Sequence, residues 1–177
     1  TFFQLAQCKQ KVFDESIIPD IVEENKLASA YGKLKASAKI PFEGKIMNLA
    51  EIAAITEDVD RNRRKAASDA KMAFYAQHED EFDKIYDAMV KVRTRMAKKL
   101  GFHDYVEMAY YRMNRLDYDR HMVADYRKQI LTYVTPLATK IYEKQRERLG
   151  LDELKYYDLD IAYADGGSPA AVYGRNC

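Results

Sequence analysis

The sequence predicts an all-α fold, built mostly of long antiparallel helices, with one small β-hairpin near residues 38–47. The composition favours helix, because Ala, Leu, Glu, Lys and Arg are abundant and only four of the 177 residues are proline. Apolar residues recur at spacings of three and four along most of the chain, which is the period of an amphipathic helix. One segment, ASAKIPFEGKIMNL, has a different period, and alternation of this kind indicates strands.

Two helices are expected before that segment. The first has a loose apolar face and ends before Pro19, because proline lacks the amide hydrogen that a helix interior requires. The second is short and covers about Ile21 to Leu34. The apolar face of the first helix consists of Phe3, Leu5, Val12 and Phe13.

The hairpin is predicted from its alternation and from its turn. Ile40 and Phe42 alternate along the first strand, and Ile46 starts the return strand. Between them, Glu43 and Gly44 supply a two-residue turn of the kind that joins antiparallel strands.

Two further helices have recognisable first residues. Asn48 is expected to cap a short helix that runs through Ile55, since an Asn side chain accepts hydrogen bonds from free amide groups at a helix start. Either Asp58 or Asp60 can cap the next helix, which contains the run DRNRRKAASDAKMAFYAQ.

The most regular helix begins at Glu79. Its apolar stripe, opposite Lys and Arg, predicts a core-facing surface, and Gly101 follows as the residue at which the helix ends. Asp104 can cap the next helix, which reaches about Met113. The stripe residues are Phe82, Ile85, Met89, Val92, Met96 and Leu100.

The last long helix follows the polar turn NRLDYD. Asp117 or Asp119 is expected to cap it, Pro136 to kink or restart it, and Gly150 to end it. Its apolar residues again step by three and four: Val123, Tyr126, Ile130, Val134, Leu137 and Ile141.

Charge and cysteine content exclude several classes of function. With 29 Lys and Arg against 28 Asp and Glu, the chain offers no electrostatic reason to bind nucleic acid or an anionic membrane. No apolar run approaches the ~20 residues that a membrane-spanning helix needs. Two cysteines give no disulfide framework, so we expect a cytoplasmic location. The sequence has no initiator Met and opens inside a helical pattern, as a piece of a longer protein would.

The three histidines are the candidate zinc ligands of the sequence. His78 opens HEDEF, which matches the first half of an HExxH motif, but the position of the second His holds Phe82, which cannot bind a metal. His103 has Glu107 four residues later, and His121 has Asp117 and Asp125 at helical spacing. Such pairs are common on solvated helices, so we predict no metal ligand and no catalytic residue in this chain.

A cluster after Tyr110 is the candidate binding site. Aromatic rings beside Arg and Asn could grip an extended peptide by stacking and by hydrogen bonds to its backbone or carboxylate. The same residues could instead cap and brace a helix end, because turn chemistry accounts for Asn114 and Asp117. The candidate substrate-binding residues are Tyr111, Arg112, Asn114, Arg115 and Tyr118.

Two segments, LGFHDYVEMAYYRMNRLDYD and RERLGLDELKYYD, carry a resemblance to a known family. The chain resembles oligoendopeptidase F-like zinc metallopeptidases of the M3 family in these two segments and in a longer stretch, IVEENKLASAYGKLKASAKIPFEGKIMNLAEIAAITEDVDRNRRKAA. The resemblance extends to about Gly167. That family holds zinc with the two His of HExxH and a more distant Glu, and the motif Glu activates the zinc-bound water. The sequence contains no HExxH, so the resemblance assigns no catalytic or metal-binding role to any position here.

The resemblance implies a division of the chain and a function. Residues 1–36 would end a helical N-terminal region, 37–157 would form the helical scaffold of the peptidase domain, and 158–177 would be an extended or loop tail. The chain would be the non-catalytic part of a metalloendopeptidase that hydrolyses oligopeptides. Its partner would be a missing segment that carries the zinc motif. The intact protein would hold zinc, whereas this chain alone would hold none and would be inactive because it has no HExxH.

Two alternatives remain open from the residues themselves. The chain could be a free-standing helical module that binds peptides or proteins without catalysis, with a groove near Tyr111 and Arg115. It could also be an unconventional metal-binding protein built on His103, His121 and nearby carboxylates.

Overall fold

The computed structural model describes residues 2–165, and its helices and single two-stranded sheet confirm the predicted fold class. Residues 1 and 166–177, which include Cys177 and most of the predicted 158–177 tail, lie outside the described residues. The α-helices are α1 (Phe2–Lys11), α2 (Ile18–Ala36), α3 (Leu49–Ile55), α4 (Arg61–Gln77), α5 (Glu79–Lys99), α6 (Tyr105–Arg112), α7 (Arg120–Gln129) and α8 (Thr135–Arg148). The strands are β1 (Ile40–Phe42) and β2 (Lys45–Met47), and short 3-10 turns cover Glu15–Ile17 and Tyr156–Asp158.

The described residues form two units that alternate along the sequence. The first unit contains the residues up to Leu34 together with Glu79–Gln129. The second contains Lys35–His78 together with the described residues from Ile130 onward. The division at residues 36 and 157 that the resemblance implies stays a prediction.

The first unit has a small core where α5 and α6 meet the turn before α2. Ile17, Met96, Ala97 and Met108 are buried there, and Phe102 and Tyr105 are among the partly buried residues that pack against them. Burying such side chains contributes about 1.5–3 kcal/mol each for the large apolar residues. The core therefore fixes α6, which carries part of the candidate site.

The start of α2 differs from the prediction. The helix begins at Ile18, three residues before the expected position, and continues to Ala36. Pro19 lies in its first turn, where an amide hydrogen would have no partner inside the helix, so the proline is tolerated there. The interruption that the sequence places at Pro19 instead falls between Lys11 and Glu15.

Salt bridges between α2 and α5 orient the helices of the first unit. Arg95 Nε and Lys99 Nζ both lie 2.6 Å from the carboxylate of the buried Asp20. Burial alone would raise the pKa of Asp20, but hydrogen bonds from Lys99 and Arg95 lower it below the ordinary value. The carboxylate therefore remains ionised and holds the two helices together across neutral pH.

The apolar stripe of α5 is buried only toward its C-terminal end. Val92 and Met96 are fully buried, as predicted, whereas Phe82, Ile85 and Met89 are half-buried. The half-buried residues line an open cleft of about 470 Å³ beside Tyr31 of α2. Helical period alone identified the stripe, but it did not show how much of the stripe is covered.

The hairpin has the register and the turn that the sequence predicts. Ile40 pairs with Met47 and Phe42 with Lys45 in an antiparallel arrangement. Glu43 and Gly44 both have positive φ, at 48° and 75°, which is the geometry of the type I′ turn that suits twisted strands. Positive φ favours glycine at the second position, because a side chain there would be strained.

The predicted caps in the second unit are confirmed. The Asn48 side chain accepts hydrogen bonds from the amides of Ala50 and Glu51, while Glu51 Oε2 accepts one from Asn48 N, which completes a capping box. Of the two candidates for α4, Asp60 is the cap. Asp58 instead accepts a hydrogen bond from Asp60 N and pairs with Arg63.

A buried carboxylate ties the C-terminal segment to α4 in the second unit. Asp158 is fully buried, and its side chain accepts hydrogen bonds from Arg61, Arg64 and the amide of Lys155. Gln145 of α8 donates through Nε2 to the backbone carbonyls of Asp158, Leu159 and Ile161. These contacts fix a segment that has almost no regular structure of its own.

The last long helical segment begins, is interrupted and ends where the sequence predicts. Asp119, one of the two candidate caps, accepts hydrogen bonds from the amides of His121 and Met122 at the start of α7. A π-helical turn at Ile130–Val134 follows α7, and α8 then restarts with Pro136 in its first turn. Gly150, with a φ of 64°, ends α8.

Candidate functional site

The candidate site is an open cleft in the first unit that we call the tyrosine cleft. Its volume is about 450 Å³, and its lining includes Tyr110, Tyr111, Arg115, Tyr118 and Cys8. Helix α6 supplies two of the tyrosines, α1 supplies Cys8, and the turn between α6 and α7 supplies Arg115 and Tyr118, while the start of α7 also contributes to the lining. The volume is within the range of small-molecule and peptide subsites.

The structure brings three of the five predicted site residues together. Tyr111, Arg115 and Tyr118 line the tyrosine cleft, while Arg112 and Asn114 are not part of its lining among residues 2–165. A role for any of the five in binding substrate stays a prediction.

Arg112 makes a structural contact. Its Nη2 lies 2.9 Å from Glu24 Oε2 and its Nη1 lies 3.1 Å from Glu24 Oε1, a two-point ion pair that joins α6 to α2. Its Nη1 also donates to the hydroxyl of Tyr105 at 3.0 Å. Burial would raise the pKa of Glu24, but hydrogen bonds from Arg112 and Arg93 lower it, so the pair is charged at neutral pH.

Asn114 determines the direction of the chain after α6. Its φ is 55°, in the left-handed region that Asn tolerates better than most residues. Its amide donates to Tyr111 O at 3.0 Å, and the next amide, of Arg115, donates to Tyr110 O at 2.9 Å. This C-terminal turn folds Arg115 back over the helix end, so Asn114 positions a cleft residue without lining the cleft.

Arg115 contacts two aromatic rings. The centre of its guanidinium lies 4.6 Å from the centroid of the Tyr110 ring and 5.6 Å from that of Tyr118. These two rings also contact each other edge to face, with centroids 6.3 Å apart. A guanidinium over an aromatic face gains about 0.5–2 kcal/mol, which favours one orientation of the side chain.

Cys8 is, of the cleft residues that the sequence did not predict, the one most distant in sequence from the predicted group. It is buried and lies in α1, more than a hundred residues before the tyrosines that it accompanies. No periodicity or motif in the sequence signals this approach, because packing of α1 against α6 produces it.

The histidines do not assemble a metal site in the part of the chain that the structure describes. His103 Nδ1 faces Asp104 at 3.4 Å, and the amide of His103 donates to Glu107 Oε2 at 3.0 Å. Across residues 2–165, no three His, Cys, Asp or Glu side chains are grouped so that they could hold a metal ion.

A second feature of functional interest is an apolar face on α8 and the π-turn before it, which the residues that the structure describes leave about half exposed. Val134, Leu137 and Ile141 lie at helical spacing, and their exposed fractions are 47%, 57% and 55%. Leu131 and Tyr133 are also exposed nearby. A monomeric protein rarely exposes adjoining large apolar side chains.

No described helix is both long enough and apolar enough to cross a membrane.

Known proteins give a consistent match. The family model of peptidase family M3 matches residues 54–165. PZ peptidase A, solved with an inhibitor, is 44% identical, with a TM-score of 0.90 over 98% of this chain and 32% of its own. A protein assigned as an oligoendopeptidase F from Bacillus anthracis str. Ames is 41% identical, with a TM-score of 0.88 over 98% of this chain and 33% of its own. No curated protein matches the chain at a significant level.

The chain thus spans about a third of the length of the solved structures that it matches. The family model covers well over half of the residues, and it includes α4 to α8 and the segment around Asp158. The chain therefore belongs to peptidase family M3.

Proposed function

We propose that this chain is the non-catalytic helical part of a zinc metalloendopeptidase that hydrolyses oligopeptides when a zinc-bearing segment is present. The observation that carries the proposal is the unequal coverage of the match. Nearly all of this chain aligns with the M3 relatives, but about two thirds of each relative has no counterpart in it. The sequence also contains no HExxH motif, the compact source of two zinc ligands and a general base.

Zinc does not fit the side chains of this part of the protein. A catalytic zinc takes three protein ligands at fixed geometry, and residues 2–165 contain no such group. The partner segment would therefore supply the complete ligand set, and the helices described here would support it and bind substrate. An oligopeptide substrate for the whole protein agrees with the names of its relatives, which are peptidases.

The exposed face of α8 supports docking of the missing segment. Covering Val134, Leu137 and Ile141, each about half exposed, would remove apolar surface from water at about 25 cal/mol per Å². This gain in free energy favours association of the chain with the missing segment. It also predicts that the chain alone binds hydrophobic dyes or self-associates. A free-standing binding module would instead be monodisperse.

The test is a chimera in which this chain replaces the corresponding third of PZ peptidase A. We expect the purified chimera to cleave a quenched fluorescent oligopeptide, to lose activity when zinc is chelated, and to regain it when zinc is returned. The chain alone should hold near-zero zinc after dialysis and should not cleave the peptide. A folded, zinc-loaded chimera without activity would refute the proposal, as would one tightly held zinc in the chain alone.

We also propose a cytoplasmic location, supported by the lack of a disulfide framework in a sequence with two cysteines.

A further inference from the structure

We infer that the tyrosine cleft binds the carboxylate group of a peptide, and that Arg115 is the residue that holds it. The choice of a peptide as ligand rests on the proposed function, whereas the choice of a carboxylate rests on the contacts of Arg115. Arg is suited to this task because its planar guanidinium can donate two parallel hydrogen bonds to one carboxylate.

Unlike Arg112 and Arg120, Arg115 forms no ion pair with a carboxylate among residues 2–165. Arg112 pairs with Glu24, and Arg120 pairs with Asp104 at 2.8 Å. The recorded side-chain contacts of Arg115 are with the rings of Tyr110 and Tyr118. No described acceptor receives a hydrogen bond from the guanidinium of Arg115, so its N–H groups can bind a ligand.

Three acidic residues line the cleft, Glu107, Asp117 and Asp119, and none of them forms an ion pair with Arg115 among residues 2–165. Glu107 accepts a hydrogen bond from the amide of His103, and Asp119 accepts two from the amides at the start of α7. Both carboxylates are therefore engaged in capping helices, which fixes their direction. Capping also lowers the pKa of Asp119, mainly through the amide of Met122.

A neighbouring cleft increases the positive charge around Arg115. This second cleft, of about 690 Å³, is also lined by Arg115, together with Arg120, Arg127 and His121, and its lining contains no Asp or Glu. Because Arg120 is already paired with Asp104, the charge that the cleft adds is that of Arg127. Arg115 thus lies where a basic surface meets an aromatic one. Such a surface favours an anionic group, since a half-buried guanidinium is screened less by salt than an exposed one.

A third cleft gives the remainder of the peptide a place to lie. It has a volume of about 440 Å³ and is formed by Tyr118, Met122, Val123 and Tyr126 in addition to Arg115. Aromatic and methionine side chains of this kind accept varied apolar groups. A peptide whose carboxylate contacts Arg115 could therefore extend along α7.

The local backbone prepares Arg115 for this role. The turn at Asn114 and the 2.9 Å hydrogen bond from the Arg115 amide to Tyr110 O fix the backbone, and the two rings fix the side chain. Because the side chain is already ordered, binding does not have to immobilise it. Immobilising a flexible side chain on binding costs about 0.5–1.5 kcal/mol, so the ligand binds more tightly.

The experiment measures binding of penta-alanine, labelled at its N-terminus with the uncharged fluorophore nitrobenzoxadiazole, to the full chain by fluorescence anisotropy. Three peptides are compared: one with a free C-terminal carboxylate, one with a C-terminal amide, and one amide whose last residue is Glu. We expect the amide to bind about tenfold or more weakly than the free acid, as the loss of a charge-assisted hydrogen bond predicts. If the amide peptide that ends in Glu binds as tightly as the free acid, a side-chain carboxylate can also bind to Arg115.

Variants identify the residue. Arg115→Gln should remove the difference between acid and amide, and Arg115→Lys should reduce it, because Lys keeps the charge but lacks the planar fork. Lys91→Gln, the same change of charge at an exposed i, i+4 pair on α5, should leave the difference intact. Circular dichroism establishes that each variant remains folded.

Equal binding of the acid and the amide would overturn the inference, as would an unchanged difference in Arg115→Gln or the absence of any binding of the free-acid peptide. These outcomes are separate from the failure of the proposed function, which depends on cleavage by the chimera.

Discussion

Replacing Asp158 with Asn tests the account of how the C-terminal segment is held in the second unit. The substitution keeps the size of the side chain but removes its charge. Asp158 Oδ1 lies 2.8 Å from Arg64 Nη2, and Oδ2 lies 2.9 Å from Arg61 Nη2. The side chain of Arg64 is only 3% exposed, so the substitution leaves a buried cation without its counter-ion.

The expected loss in the free energy of unfolding is about 3 kcal/mol, at the lower end of the 3–5 kcal/mol cost of breaking a buried ion pair. The lower end applies because Arg64 also donates to the backbone carbonyls of Asp58, Val59 and Tyr157. These bonds persist in the variant and offset part of the loss.

Urea denaturation followed by circular dichroism measures the change. Asp160→Asn is the matched control, because Asp160 is exposed and two residues away from Asp158. We expect the control to stay within about 0.5 kcal/mol of the wild type, as surface substitutions do. If Asp158→Asn also stays within that range, the argument that this ion pair anchors the segment is wrong.

The same residue predicts how stability depends on pH. Burial would raise the pKa of Asp158, but hydrogen bonds from Arg61, the Lys155 amide and Arg64 lower it from 3.8 to about 2. Because the folded pKa lies below the unfolded one, this stabilisation is complete above pH ~4 and decreases as pH falls toward ~2, by about 2 kcal/mol in total. Asp158→Asn should lack this part of the acid sensitivity, and an identical pH profile in wild type and variant would contradict the assignment.

Three further predictions concern the cap of α3, the hairpin turn and the face of α8. Asn48→Ala should lower the free energy of unfolding by about 1 kcal/mol, through loss of the capping box; no change in a urea denaturation curve would contradict the cap. Gly44→Ala should destabilise the chain by about 1 kcal/mol, because its φ of 75° strains any side chain; an unchanged melting temperature would show that the turn relaxes. The double variant Leu137→Gln, Ile141→Gln should reduce dye binding or self-association of the chain alone without loss of helix content. Unchanged association in sedimentation velocity would show that the face of α8 is not responsible.

The candidate site was only partly predictable. Tyr111, Arg115 and Tyr118 are close in sequence, so a single turn after α6 brings them to one cleft, and local pattern was enough to group them. Arg112 and Asn114 belong to the same stretch, but one faces Glu24 of α2 and the other sets the turn. The direction of a side chain near a helix end depends on one or two backbone dihedral angles. Residue types alone do not specify these angles.

The sequence by itself determined the helices, the hairpin and most of their ends, because each depends on local chemistry. Asn48, Asp60, Asp104 and Asp119 cap helices through amides two or three residues away. Only the tertiary structure decided which apolar faces are covered and which charges are buried. Asp158 and Arg64 are 94 residues apart in the sequence, and their contact depends on how α4 and the C-terminal segment pack within the second unit, which no local pattern specifies.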